Sequence, residues 1–345
     1  MLEKIKNKVE HELSCYMESL DKKHALSRIS PLLFSSVREF VLRKGKRVRP
    51  ILLIIGYLGF ARRIAPRLYT SALSLELLHD FMLVHDDIID RSELRRRKPS
   101  MHSMLNNYLK KYPNVKFNGQ ELAIVVGDIM FALGIHAFIS IGENPLRKEK
   151  ALKKLIETAM YTASGEFLEL LTGIKDITEI KKEDIYRIYD YKTAYYTFAS
   201  PLTIGAILAG ASEKETKRLF QYGECLGRAF QIKDDILGMF AGEKETGKSA
   251  LTDLQEAKKT ILILYAFRKA KKQDRIKIKN ILDKKKVGFR DLREMRRIIN
   301  KTGALNYARQ EISGLIRKAK IILSASGMRR QYKESLLSYS QKLLQ

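Results

Sequence analysis

Residues His79 to Lys98 read HDFMLVHDDIIDRSELRRRK. An apolar run ends in three carboxylates, Asp86, Asp87 and Asp90, and Arg95-Arg96-Arg97-Lys98 follows within one or two helical turns. Leu73, Leu77, Phe81 and Val84 recur at the three- and four-residue intervals of a helix. On such a helix Asp86 and Asp90 share a face. Two carboxylates so placed repel each other in water unless a cation lies between them. Hard oxygen donors, one or two carboxylates per ion together with substrate phosphates, suit Mg²⁺. Arginine grips phosphate with a planar fork that lysine lacks. The stretch therefore points to a Mg²⁺–diphosphate site at the mouth of an apolar helix.

Other motifs carry related chemistry. Phe230–Gly238 reads FQIKDDILG, so Gln231 and Asp234 fall on one face of a second acidic helix. In Gly45-Lys46-Arg47-Val48-Arg49-Pro50, Lys46 and Arg49 sit at a helix start, where backbone N–H groups already favour an anion. Lys192-Thr193 lies in the aromatic segment YDYKTAYYTFAS, and a lysine there calls for an anionic ligand. Gly127-Asp128 within VVGDIMFALG suggests close helix packing and one buried or site-facing acid. Gly242–Ser249 matches the pattern of a nucleotide-binding phosphate loop. That loop requires a preceding β-strand, whereas Lys233, Asp234 and Asp235 continue a helical pattern. Glu243 and Glu245 would also crowd the phosphates, so the nucleotide reading is set aside.

Composition bounds the rest. The chain has 345 residues with a net charge of +26, which calls for an anionic partner such as a phosphorylated substrate, a membrane surface or nucleic acid. Cys15 and Cys225 lack disulfide or zinc spacing, which fits a reducing cytoplasm. The N-terminal segment MLEKIKNKVEHEL is too polar for a leader, and charge or Gly interrupts the apolar runs short of a membrane span. Pro31 and Pro50 mark helix starts, and no sustained period-two alternation appears. The pattern predicts an all-α chain of ten or more helices in one domain, residues 1–345. Beyond Ala257 the helices are strongly basic, without the interleaved aromatics of a single-strand binder. They read as a solvated face with a weak anionic-membrane contact, and no nucleic acid is expected.

Together these motifs resemble the trans-isoprenyl diphosphate synthases, the head-to-tail polyprenyl synthetase family, from roughly Leu33 to Thr260. The resemblance implies the isoprenoid synthase fold, a single all-α bundle around a deep central cavity, and a homodimer. It implies that Asp86, Asp90 and Asp234 hold about three Mg²⁺ ions. By the same resemblance Arg95, Lys192, Gln231, Lys248 and Lys258 contact an allylic diphosphate. Lys46, Arg49, His79 and Arg96 hold the diphosphate of isopentenyl diphosphate. Asp87 and Asp235 act through water or neighbouring groups, and the Thr193 hydroxyl faces the allylic cation. A terpene cyclase would not need the isopentenyl set, and a non-catalytic synthase subunit would lack an intact first Asp motif.

The chain departs from the family pattern at three places. Lys44 and Arg97 stand where Gly is usual, and Glu166 and Glu169 replace the Gln and Asp of Gly-Gln-x-x-Asp. In the family, product length follows from what blocks the space beneath the first Asp motif. Phe81, five residues before Asp86, lies over Leu77, Leu78 and Ser74, with the non-aromatic Met82 beside it. That pairing resembles the archaeal geranylgeranyl type, so a mainly twenty-carbon product is expected, with farnesyl as runner-up.

Overall fold

The computed structural model describes residues 1–241 and 251–344. Lys248 and the Gly242–Ser249 loop lie outside the described residues. Regular structure among the described residues is helical apart from two strands of two residues each, and the chain divides into two compact units.

The first unit comprises residues 1–153 and 204–211. Helix α1 (Leu2–His24) buries Ile5, Val9, Leu13, Tyr16, Met17 and Leu20, one stripe of an amphipathic helix. Ala25 ends it in the left-handed region, its N–H bonding Asp21 O at 2.8 Å. After the short α2 (Leu26–Ile29), Pro31 opens α3 (Pro31–Val41), and Ser30 Oγ caps it by accepting from Leu33 N at 3.2 Å. Helix α4 (Val48–Leu58) is buried from Pro50 to Tyr57, so it is a core helix. Helix α5 (Leu68–Ile89) carries the first acidic motif at its C-terminal end. Strands β1 (Leu94–Arg95) and β2 (Lys98–Pro99) then form a minimal antiparallel hairpin, and α6 (Met101–Leu109) follows.

Helix α7 (Gly119–Ile139) starts at a reciprocal cap. Asn118 Oδ1 accepts from Gln120 N at 2.7 Å and Glu121 Oε2 accepts from Asn118 N at 2.6 Å. The Asn-Gly pair thus begins a helix instead of turning a hairpin. By length and composition α7 could cross a membrane, which the interruptions at Gly127, Asp128 and Gly134 had argued against. Those glycines instead let α5 approach: a Cβ at Gly127 would lie 2.5 Å from His85 Nε2, and one at Gly134 would lie 3.3 Å from Ser74 O.

The second unit comprises residues 154–203 and 212–345. It holds most of α8 (Pro145–Ile174), then α9 (Lys182–Ile188), a π-helix (Tyr189–Ala199) and α11 (Glu213–Phe240), with α10 (Ser200–Leu208) between the last two in sequence. Short α12 (Thr252–Gln255), α13 (Ile261–Lys269), α14 (Lys272–Leu282), α15 (Phe289–Lys301), α16 (Ala304–Ser324) and α17 (Arg330–Leu344) complete it. Its core gathers Ile232, Met239, Ile261, Leu262, Ile278, Leu292, Met295 and Ile298. The segment preceding Gly242 is helix α11, as the rejection of a nucleotide loop required.

Helix packing in the first unit depends on Gly205. A Cβ there would stand 2.0 Å from Leu53 O and 2.6 Å from Tyr57 N, both backbone atoms that cannot give way. Gly205→Ala is expected to lower unfolding free energy by about 3 kcal/mol in chemical denaturation, and an unchanged midpoint would contradict this packing.

Candidate active site

A first set of candidate residues is built on the end of α5, in the first unit. Asp90 is its C-cap, with Asp90 N donating to Asp86 O at 2.8 Å, so the two residues lie one turn apart on the last turn. The Asp86 carboxylate is half-buried and makes no hydrogen bond or ion pair among the described residues. A carboxylate held in that state fits a hard cation, and the donor set suits Mg²⁺. Asp87 points the other way, is fully buried, and accepts from Arg95 Nε at 2.8 Å and from Arg95 Nη2.

The basic groups come from the loop before α4 and from the hairpin. Arg96 and Arg97 form its two-residue turn, with φ of 54° and 62°. Such turns favour Asn-Gly, so two arginines there accept backbone strain of about 1 kcal/mol each or more. This explains why Gly suits the position of Arg97. Lys44, by contrast, does not have positive φ, so its side chain costs the backbone nothing. The turn aims Arg96 at Asp80 Oδ1, 3.4 Å, and Glu76 Oε1, 3.6 Å, while its Nη1 donates to Arg43 O at 3.3 Å.

Beneath it Arg47, also left-handed at φ 51°, is buried as completely as any large side chain. It donates to Glu76 at 2.5 Å, to Glu10 at 2.8 and 3.1 Å, and to the carbonyls of Val41 and Arg43 at 3.1 and 2.8 Å. A buried guanidinium so satisfied locks the loop between its two neighbours, the exposed Lys46 and the half-buried Arg49. Asp80 is fully buried, and its Oδ2 has no hydrogen-bond partner among the described residues. Burial and the adjacent Glu76 push Asp80 well above the usual carboxylate range.

His79 lies among these cations. Burial first, then Arg49, Arg96, Arg95 and Arg47, holds its imidazole well below the ordinary value. It is therefore a neutral hydrogen-bonding group and not a further positive charge.

One turn before Asp86, Phe81 meets His85 edge to face at 4.7 Å and Phe131 of α7 at 5.4 Å between ring centroids. Met82 is half-buried, and Leu77, Leu78 and Ser74 are buried, packed where Gly134 approaches. Phe131 carried no sequence signal beyond being apolar. Asp128 is exposed rather than buried, its carboxylate 3.9 Å from His85 Nε2, because the close contact on that turn belongs to Gly127.

A second set of candidate residues lies in the second unit and centres on the π-helix. Three glycines press it into place. A Cβ at Gly165 would lie 2.6 Å from Lys192 N, at Gly227 2.3 Å from Ala194 Cα, and at Gly223 2.4 Å from Ala199 Cα. Wide turns of this kind re-aim side chains and recur at functional sites. Here the turn presents Lys192 to Glu166, at 2.5 Å, and to Glu169. The lysine's counter-charge is thus supplied by α8 and does not have to come from a ligand. Both glutamates are residues where the chain departs from the family pattern.

Thr193 Oγ1 donates to Gln231 Oε1 at 2.7 Å, and Gln231 Nε2 donates to Asp235 Oδ1 at 3.0 Å. Asp235, buried, also accepts from Tyr189 OH, which accepts from Ile261 N at 3.0 Å. This chain of bonds fixes Thr193 and Gln231 together and ties them to the start of α13. Asp234 is exposed on α11, and Lys258 pairs with Glu256 at 2.8 Å. Among the described residues no cluster of three or more metal-ligating side chains forms in either unit.

Residues 30–306 match the family model of polyprenyl synthetase. The chain belongs to the polyprenyl synthetase family. It is a prenyltransferase with the all-α fold expected from the sequence. Relatives include a geranylgeranyl diphosphate synthase from Sulfolobus acidocaldarius, 32% identical over 81% of this chain and 79% of its own length. A geranylfarnesyl diphosphate synthase from Aeropyrum pernix is 33% identical over 81% and 83%. The crystal structure of geranylgeranyl pyrophosphate synthase from Corynebacterium glutamicum, complexed with isoprenyl diphosphate and magnesium, superposes with a TM-score of 0.90. It is 25% identical, and the match covers 100% of this chain and 99% of that one.

Because its folded value is depressed, His79 binds a proton less readily than in the unfolded chain, so it costs stability as pH falls below about 6.5. The His79 ring resonances are expected to keep their neutral positions through that pH. An ordinary titration near 6.5 would contradict the cationic surroundings.

Proposed function

We propose that this polyprenyl synthetase condenses isopentenyl diphosphate with allylic diphosphates head to tail, mainly to geranylgeranyl diphosphate. The observation that carries the reading is the pairing, on one helix, of a half-buried Asp86 with no hydrogen bond or close ion pair among the described residues and a wedged Phe81 one turn deeper. The family match runs through both units, which supports reading them as one synthase domain.

Asp86, Asp90 and Asp234 are the residues that would hold Mg²⁺, about three ions by resemblance. Mg²⁺, when bound, supplies charge neutralisation to the departing diphosphate. Lys192, Gln231 and Lys258 are assigned to the allylic diphosphate, and Lys248 joins them by resemblance. Arg95 is assigned there too, and it would exchange its bond to Asp87 for one to phosphate. Lys46, Arg49 and Arg96 are assigned to isopentenyl diphosphate, with neutral His79 as a hydrogen-bond donor.

The reaction breaks the allylic C–O bond, and an electron pair leaves with diphosphate. The double bond of isopentenyl diphosphate attacks the carbon cation, and loss of a proton, to the departing diphosphate by family analogy, restores an alkene. Thr193 donates its own proton to Gln231, so its oxygen lone pairs remain to face positive charge. Leu77, Leu78 and Phe81 provide an apolar wall that keeps water from the cation.

The growing chain is stopped by Phe81, which His85 and Phe131 hold between them. A longer product has one specific observation in its favour, the similarity to a geranylfarnesyl diphosphate synthase.

The test is a product assay with isopentenyl diphosphate, Mg²⁺ and dimethylallyl, geranyl or farnesyl diphosphate, sized by mass spectrometry. A twenty-carbon product is expected. Asp86→Ala should lower kcat by about 1000-fold or more, and Phe81→Ala should lengthen the product. Unchanged length in Phe81→Ala would remove the stopper role, and absence of condensation with every starter would overturn the function.

A further inference from the structure

The turn joining α14 to α15 carries features that the chemistry above does not use. From Asp283 to Arg297 the chain has seven lysines and arginines against three carboxylates. Along the flanks of the two helices the charges are paired. Asp274 takes Arg297 at 2.7 Å and Lys301 at 2.8 Å, Lys277 takes Glu294 at 2.8 Å, and Lys284 takes Asp291 at 2.6 Å. At the tip they are not. Lys285, Lys286, Arg290 and Arg293 are exposed, and their side chains make no hydrogen bond or ion pair among the described residues.

In the middle of these cations stands Phe289, 66% exposed. It plays no part in holding the turn. Gly288 N donates to Asp291 Oδ2 at 3.0 Å, which caps the start of α15. Val287 and Leu292, the residues flanking that cap, are buried at 5% and 2% and supply its apolar clasp. Gln255 anchors the turn from the other side through Lys285 O and Val287 N, at 2.7 and 3.1 Å. The fold therefore fixes this turn without Phe289 and leaves a large aromatic in water, flanked in sequence by exposed cations that have no ion pair among the described residues.

We propose that the α14–α15 turn docks the protein onto an anionic lipid bilayer, with Phe289 inserted at the headgroup level and Lys285, Lys286, Arg290 and Arg293 against the lipid phosphates. An aromatic is at home in that interface, and each cation near an anionic surface contributes about fivefold in affinity. Charge alone would serve a nucleic acid equally. A single aromatic at one turn does not, since single-strand binders stack successive bases on several rings.

Co-sedimentation with vesicles tests this. The full chain is mixed with phosphatidylcholine vesicles, with and without about one-third phosphatidylglycerol. Binding is expected only to the anionic vesicles. Lys285→Gln/Lys286→Gln should weaken it about 25-fold and Phe289→Ser about tenfold. Lys150→Gln/Lys214→Gln, which removes two exposed charges elsewhere, should change it little. All three variants should keep wild-type condensation of soluble substrates, which shows that they fold. The proposal is overturned by no binding to anionic vesicles, by Phe289→Ser binding as wild type, or by equal loss in the control variant. Tighter binding to single-stranded or duplex DNA than to the vesicles would also overturn it.

Discussion

Positive charge collected for an anionic substrate has to be balanced while the substrate is away. That constraint shapes the candidate residues of each unit. Arg95 rests on Asp87, Arg96 on Asp80 and Glu76, Lys192 on Glu166 and Glu169, and Lys258 on Glu256. Without those carboxylates, the desolvated cations of each unit would repel one another at a cost of several kcal/mol. A doubly charged phosphate group can take the place of each carboxylate, because an arginine or lysine loses little in exchanging one oxyanion for another. Asp86 is held differently. Its carboxylate makes no hydrogen bond or close ion pair among the described residues and feels Arg95 only at longer range, on the helix end where a metal would bring the opposite charge.

Rigid backbone supports this arrangement. Arg47 bonds both Glu10 of α1 and Glu76 of α5, so the Gly45–Pro50 loop is fixed from two sides while Lys46 reaches solvent. Arg96 and Arg97 hold a left-handed turn that glycine would adopt freely, and this places the Arg96 fork over Asp80. In the second unit the π-helix performs the equivalent task. The close approach at Gly165, Gly223 and Gly227 sets the depth at which Lys192 and Thr193 project.

Much of this was legible in the sequence, and the reason is local. The helix ending in Asp86-Asp87-Ile88-Ile89-Asp90, the basic loop before α4 and the Phe-Gln-x-x-Asp-Asp helix are each short enough for spacing to decide which residues share a face. What stayed hidden is tertiary. Glu76 and Asp80 read as ordinary positions of an apolar helix, and nothing nearby in sequence names Arg47 and Arg96, some thirty residues before and sixteen after, as their partners. Glu169 looked out of place in the family pattern, yet it accepts from Lys192 twenty-three residues on. Phe131 is one apolar residue among many in α7, and only the crossing at Gly127 and Gly134 brings it to Phe81. The turn at Arg96-Arg97 lacked the Asn or Gly that would have announced a hairpin.

The central claim is that these cations and carboxylates are arranged for a metal-bound diphosphate. Calorimetric titration of inorganic diphosphate into the protein, with and without Mg²⁺, addresses it most directly. The account predicts binding at least about 100-fold tighter with Mg²⁺ than without it, and loss of that difference in Asp86→Asn. Equal affinity in the presence and absence of Mg²⁺ would contradict it, since the cations alone would then suffice and Asp86 would have no ion to hold.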